Sequence, residues 1–544
     1  MTRISNPRGA AAAQTGSAGG HNVDLGHPNV RAQAKRKTAY MSVSTVGMLT
    51  AAAVVTSLRG LPVMGEEELT MFFYIGFATI LFLIPGALVS AELGSAFSTR
   101  GGGVYTWVGE AFGQRWGFVA IWLQWIQNVV WYPTGLSFAA AAIAYGIGDN
   151  HLANSNLFVG AFCIIAYWLA TLLALRGTSV IAKVAKYGFI IGTAVPGAIL
   201  IGLFIYWIAT GHALGWSTTT NAAVAHVVGG HTTPRFWPQL TGLGSLAFLG
   251  NILLLFAGVE AQAVHVRDMR NPRRGFPAAM LIAAVVSVAL FTLGALSVAG
   301  IVPYAKIQLQ TGVFSALGAV LSNQWNIGWA LQILALMICF GALAGALAWL
   351  TSPSRGLLST AHDGVLPPFM QKTNRKGVQQ NILIIQAIIV TVISALYLVL
   401  PNVSGAFFLI SSMTITLYIV MYLLMYAAAI RLRHTQPNLP RAFSIPGGKA
   451  GMWIVSGIGF LAVAFALVVC FFPPAQLTIG TPALYITLVA AGLVIFVAAP
   501  LVIYQFRRPS WKHGAPDQLP HEASFHEPAI QATQAAETGT RDGA

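Results

Sequence analysis

The chain has 544 residues, of which 56% are hydrophobic and only 8% charged, and its mean hydropathy is +0.70. Soluble domains carry roughly 25% charged residues, so a water-soluble fold is excluded. The net charge of +15 does not mark a nucleic-acid-binding protein, because the basic residues lie between apolar stretches, where they suit an anionic membrane leaflet.

Residues 1–37 are polar, rich in Gly, Ala and Asn, and lack the apolar core of a signal peptide. They are expected to form a disordered cytoplasmic tail. Residues 38–505 are read as a transmembrane domain. Within it, apolar stretches of about 20 residues or more recur, the length a bilayer demands. They span 39–61, 69–95, 117–146, 156–175, 186–209, 240–265, 277–302, 326–351, 380–400, 405–430, 452–473 and 481–505. The expected fold is an all-α polytopic membrane protein of about twelve helices. An even number of crossings puts both termini on one side. Residues 506–544 form a second polar tail, with His513, His521 and His526 among Glu522, Glu527, Glu537 and Asp542.

The distribution of cations chooses the side. With both termini inside, only Arg235 and Lys306 fall outside and Arg59 falls within a helix, leaving 27 of the 30 basic residues inside. The opposite orientation would invert the positive-inside rule, so both termini are expected on the cytoplasmic side. The acidic run Glu66, Glu67, Glu68 then lies at the outer end.

Ionisable side chains inside the bilayer are costly and mark function. Glu260 follows Phe256-Ala257-Gly258-Val259, deep in the sixth stretch. Gly258 weakens the helix there, and a mid-membrane break survives only where its freed amides and carbonyls line a cavity. Such groups suit a zwitterion, with Glu260 as a proton carrier or a latch. The alternative is a buried carboxyl that only staples helices. Arg59 lies near the outer end of the first stretch, where it either meets an anionic group of a substrate or snorkels to the interface. Upstream, Ala51, Ala52 and Ala53 are small enough to pack closely or unwind. The third stretch carries Trp122, Gln124, Trp125, Gln127, Asn128, Trp131 and Tyr132, whose amides should face the bundle interior. Trp349, Tyr418 and Tyr422 are packing residues or path residues. The two tyrosines are four apart and share one helix face. Glu92 and Arg100, at the inner end of the second stretch, read as a gate or loop anchor, and His265 as structural.

No phosphate loop, paired-histidine zinc motif or nucleophile elbow is present, so neither an enzyme, a cofactor nor a metal is expected. Cys163, Cys339 and Cys470 are odd in number and each lies in an apolar stretch, which predicts buried small hydrophobes.

Four motifs then carry a resemblance. They are Ala91-Glu92-Leu93 with Gly101-Gly102-Gly103-Val104-Tyr105-Thr106-Trp107-Val108; Gly258-Val259-Glu260-Ala261 through His265-Val266 to Asn271-Pro272; Ser352-Pro353-Ser354-Arg355-Gly356 on to Leu366-Pro367; and Phe443-Ser444-Ile445-Pro446-Gly447-Gly448-Lys449. In this order and spacing the chain, over roughly residues 37–508, resembles the amino acid–polyamine–organocation superfamily, and within it the bacterial glutamate:GABA antiporters. The resemblance implies two inverted repeats of five helices each, with two helices appended. It also implies first and sixth helices broken at the midplane, so that Ala51–Ala53 and Ala257–Gly258 offer backbone groups to a substrate. It implies that Glu260 is the sixth helix's coupling or gating glutamate and that Trp349, Tyr418 and Tyr422 line the substrate path. Two positions depart from the acid-resistance members: Arg59 stands where they have a tyrosine, and Gly345 where they have a glutamate. Together these changes remove a negative group and add a positive one. The C-terminal tail departs too. It is acidic, with Phe525 its only aromatic after Trp511, and the basic aromatic plug of those members is not expected.

The expected activity is secondary amino-acid transport, as an exchanger of an amino acid for its decarboxylated amine. Two alternatives stand beside it: a proton-coupled uptake permease, and a membrane sensor that binds but barely transports. The partners expected are the small-molecule substrate, the bilayer and protons.

Overall fold

A computed structural model describes residues 42–55, 57–97, 103–176, 184, 187–228, 231–260, 269, 271–474 and 481–512. Arg100, His265, residues 1–37 and His513, His521 and His526 lie outside the described residues. The side chains of Ala51, Ala52 and Ala53 do as well, although their backbone is helical.

Every predicted stretch contains helix. In chain order these are α1 (Val43–Val54), α2 (Glu68–Ala96), α3 (Gln114–Gly146), α4 (Asn156–Leu175), α5 (Tyr187–Ala209), α6 (Phe248–Phe256), α7 (Pro272–Ile301), α8 (Gly328–Ser359), α9 (Gln380–Val399), α10 (Val403–Thr435), α11 (Gly448–Val469) and α12 (Pro482–Gln505). Among the described residues nine helices are long and apolar enough to cross a membrane, which excludes α1, α3 and α6. Helix α3 has the length, but its tryptophans and amides lower its hydropathy. Helices α1 and α6 are short because each stops early.

The first stretch divides after Val54. Ser57 is extended (φ −166°, ψ 171°), and helical turns resume at Leu58–Gly60 and Leu61–Gly65. The β-branched run Val54-Val55-Thr56 is a poor helix former. Pro62 lacks an N–H, so it fits only the first turn of a new helix. In the sixth stretch, 240–265, where a break is expected at Gly258, helix α6 ends at Phe256: Ala257 is extended and Gly258 has φ +110°.

Two helices carry a wide turn just before a proline. In α2, Ala78–Leu83 is π-helical ahead of Pro85, and in α5, Ile190–Ala194 is π-helical ahead of Pro196. A proline cannot donate to the ladder, and a π-turn absorbs the register change.

One core runs through the bundle. Helix α10 lies at its centre, with 83% of its apolar window buried, against 17% for the peripheral α12. Helices α5 and α8 meet backbone to backbone: a Cβ on Gly192 would lie 2.3 Å from the Gly341 Cα. Close approach through small residues is how membrane helices gain dispersion contacts. Cys163, Cys339 and Cys470 are buried free thiols.

Sequence reading did not anticipate three elements: the short helices Val104–Phe112 and Gly312–Leu321, and a hairpin between α5 and α6. In the hairpin, β1 (Ala225–Val228) pairs antiparallel with β2 (His231–Pro234), Ala225 opposite Pro234. Downstream, Trp237 packs on Phe73 of α2 with ring centroids 5.4 Å apart.

Glu66, Glu67 and Glu68 of the acidic run are buried, and the Thr70 hydroxyl donates to Glu67 Oε2 at 2.8 Å.

At the other end of α2, Glu92 holds a connecting loop. Its Oε1 accepts from Arg433 Nη1 at 2.7 Å and Arg441 Nε at 3.0 Å, and its Oε2 accepts from the Ile445 N–H at 2.7 Å. Ser95, one turn on, donates to the Phe443 carbonyl and accepts from the Phe443 N–H, both at 3.1 Å. Glu92 therefore anchors the α10–α11 loop to α2.

Candidate substrate site

The two helix breaks border one cavity. Val54 and Ser57 line it from the first break, Leu254, Leu255 and Ala257 from the second. The remaining wall comes from Arg59, from Gln127, Asn128 and Trp131 of α3, and from Phe291 of α7, Trp349 of α8 and Tyr418 of α10. Its lining is largely apolar with a few polar groups, the composition of a small-molecule site. A helix that stops leaves its last carbonyls without intrahelical partners, and one that starts leaves its first amides free. The Leu58–Gly60 turn has no side-chain cap.

Gly258 makes the second break possible. Its φ of +110° is open to glycine and strained for other residues. Its N–H, out of the helical ladder, donates to the Tyr422 hydroxyl at 3.2 Å. Tyr422 donates in turn to Glu260 Oε2, while Tyr418 donates to Glu260 Oε1. Gln124 Nε2 of α3 adds a third hydrogen bond, to Oε1 at 3.3 Å. The carboxyl of Glu260 is 2% exposed, and these partners tie the backbone after the break to α3 and α10. Tyr418 and Tyr422 do share a face, with ring centroids 5.2 Å apart.

Arg59 points inward rather than to an interface. It is 5% exposed, and its guanidinium lies 4.9 Å from the Trp131 ring centroid and 5.9 Å from that of Phe407. Asn128 Nδ2 donates to the Trp349 carbonyl at 3.3 Å, and among the described residues its buried Oδ1 has no partner.

The structure thus brings Arg59, Ala257, Trp349 and Tyr418 to one cavity, with Gly258, Tyr422 and Glu260 directly behind Tyr418. Sequence reasoning placed amides in α3 but did not assign Gln127, Asn128 or Trp131 to the site. Their signal was polarity within an apolar stretch. Val54, Leu254, Leu255 and Phe291 carry no such signal, being apolar residues among apolar neighbours.

Residues 36–497 match the sequence model of the amino acid permease family. The chain belongs to that family. The permease is thus a member of the amino acid–polyamine–organocation superfamily and a multi-pass membrane protein of a transporter family. It is 35% identical to an uncharacterized transporter of Legionella pneumophila over 85% of this chain and 95% of the relative. It is 31% identical to the glutamate/gamma-aminobutyrate antiporter of Lactococcus lactis, over 84% of this chain and 88% of that protein. A probable agmatine/putrescine antiporter of the same species is 23% identical, over 79% and 87%. Family membership and these relatives support general amino-acid transport by the permease.

Proposed function

We propose that this permease exchanges one amino acid for another, or for its decarboxylated product, by alternating access, with glutamate and γ-aminobutyrate as the leading pair. The observation that carries the reading is the pair of helix breaks, at Val54–Ser57 and at Ala257–Gly258, on one cavity. Amides at the start of Leu58–Gly60 attract a carboxylate, and carbonyls at the end of α6 accept from an ammonium. An α-amino acid satisfies both. The names of the Lactococcus relatives support the choice of pair.

In this reading all twelve helical stretches cross the bilayer, with both termini in the cytoplasm of a bacterial cell and the first ten helices forming an inverted repeat. The excess of Lys and Arg on one side supports the orientation. Glu260 holds the α6 break closed against α10 and changes its hold with protonation.

A second reading, proton-coupled uptake, is favoured by the position of Glu260, a titratable group buried at the break. Labelled glutamate uptake into proteoliposomes separates the two. Exchange requires γ-aminobutyrate or glutamate inside the vesicles. Uptake into empty vesicles driven by an inward proton gradient would replace exchange with symport. No glutamate flux under either condition would remove glutamate as a substrate.

A further inference from the structure

We infer that Arg59 binds a carboxylate at the far end of the substrate, so that the substrates are amino acids carrying an ω-carboxylate. The inference rests on the exchange reading above and names the chemical class that the same cavity selects.

Arg59 is buried and borders the cavity. Among the described residues it has neither a carboxylate nor a hydrogen-bond acceptor, and its contacts are the faces of Trp131 and Phe407. Buried charges are as a rule paired, because taking an ion out of water costs more than an aromatic face returns. Stacking on Trp131 also leaves the edge of the guanidinium, where its N–H donors lie, uncommitted. Glu260 makes no ion pair with Arg59: its two oxygens accept from Tyr418, Tyr422 and Gln124. Glu92 is committed to Arg433 and Arg441. Arg59 therefore borders the cavity with no ion-pair partner of its own among the described residues.

A carboxylate is the planar, bidentate match to a guanidinium. Glutamate offers one beyond its α-amino and α-carboxyl groups. Loss of the α-carboxylate converts it to γ-aminobutyrate and leaves the ω-carboxylate in place, so both members of the pair keep the group that Arg59 reads. A diamine would set a second cation against Arg59 and is rejected. The same lone charge makes the empty, occluded carrier unfavourable, and a carrier that must reload before it returns is an exchanger.

The test measures binding to the purified full-length protein, without vesicles, using glutamate, γ-aminobutyrate, glutamine and putrescine as probes. Wild type is expected to bind glutamate and γ-aminobutyrate more tightly than glutamine and to exclude putrescine. Arg59→Gln is expected to weaken the two carboxylate probes at least about tenfold while glutamine changes less than about threefold, a difference of about 1.4 kcal/mol per factor of ten. Equal weakening of glutamine would assign Arg59 to the α-carboxylate and overturn the inference, as would a wild type that prefers glutamine or binds neither carboxylate probe. Should Arg59→Gln fail to fold, Arg59→Lys keeps the charge without the fork. It should still prefer glutamate over glutamine, and equal binding of the two would overturn the inference. Discrimination in binding without exchange in vesicles would defeat the transport reading alone. Exchange with unchanged substrate ranking in Arg59→Gln would defeat this inference alone.

Discussion

The Tyr422 hydroxyl clamps the backbone that follows α6 to α10: it accepts from the Gly258 N–H at 3.2 Å and donates to Glu260. Removing it in Tyr422→Phe leaves a buried amide and a buried carboxyl oxygen each short of a partner. An unsatisfied buried group costs about 1–3 kcal/mol, so the variant is expected to melt several degrees lower and to transport at least about tenfold more slowly. Thermal melting in detergent and exchange in vesicles measure the two effects. Wild-type values for both would show that the bridge does not hold the break.

Glu260→Gln keeps the shape of the side chain but removes its charge and one acceptor oxygen. The variant is expected to run as a single folded species on size exclusion, yet to lose flux or the pH dependence of flux. Flux measured from acidic to neutral pH decides. A profile that matches wild type would take Glu260 out of proton coupling.

Gly258→Ala tests the backbone itself. A Cβ there would meet Trp349 Cη2 at 3.4 Å, an ordinary contact, so the cost is the φ of +110° rather than a clash. Backbone strain of this kind costs about 1–3 kcal/mol. The expected outcome is a lower melting temperature with loss of substrate binding. An alanine variant as stable and active as wild type would mean that the break closes during the cycle.

Glu92→Gln leaves Arg433 and Arg441 without a carboxylate in a buried setting. Breaking one side of a buried ion pair costs about 3–5 kcal/mol. The α10–α11 loop is expected to come away from α2 and expose Arg441 to trypsin. Wild-type cleavage kinetics would contradict the anchoring role.

Glu67, which precedes α2, gives a pH dependence of stability. Burial pushes its carboxyl up to about 7, against the opposing hydrogen bonds from Thr70 and Tyr74. Burial also raises Glu66, with Glu67 and Glu68 adding to the effect. The folded state therefore holds these protons more tightly than the unfolded state. The stabilisation is complete below the ordinary value of 4.5 and is lost as pH rises through about 7. Melting temperature should fall from pH 5 to pH 8, and Glu67→Gln should flatten that fall. An unchanged slope in the variant would locate the dependence elsewhere.

Much of this was legible along the chain. Apolar stretches of bilayer length predict the helices, because a backbone in lipid must satisfy its own hydrogen bonds. Gly258 beside Glu260 marks a break, because glycine in an apolar helix weakens it and a carboxyl there needs a reason. The four motifs in their order identify the superfamily before any geometry is known.

What the sequence by itself determined is therefore local: where apolar runs begin and end, where a proline or glycine interrupts them, and which polar residues lie inside. Only the tertiary structure decided which of those residues meet. Arg59 reads equally as a snorkelling cation until the bundle turns it onto Trp131, 72 positions along the chain. Glu92 finds Arg433, more than 300 residues away, only when α2 and α10 pack. Phe291 enters the cavity wall with no mark in its own helix. Side-chain pairing across helices depends on rotation and crossing angle, which packing sets and a one-dimensional pattern does not contain.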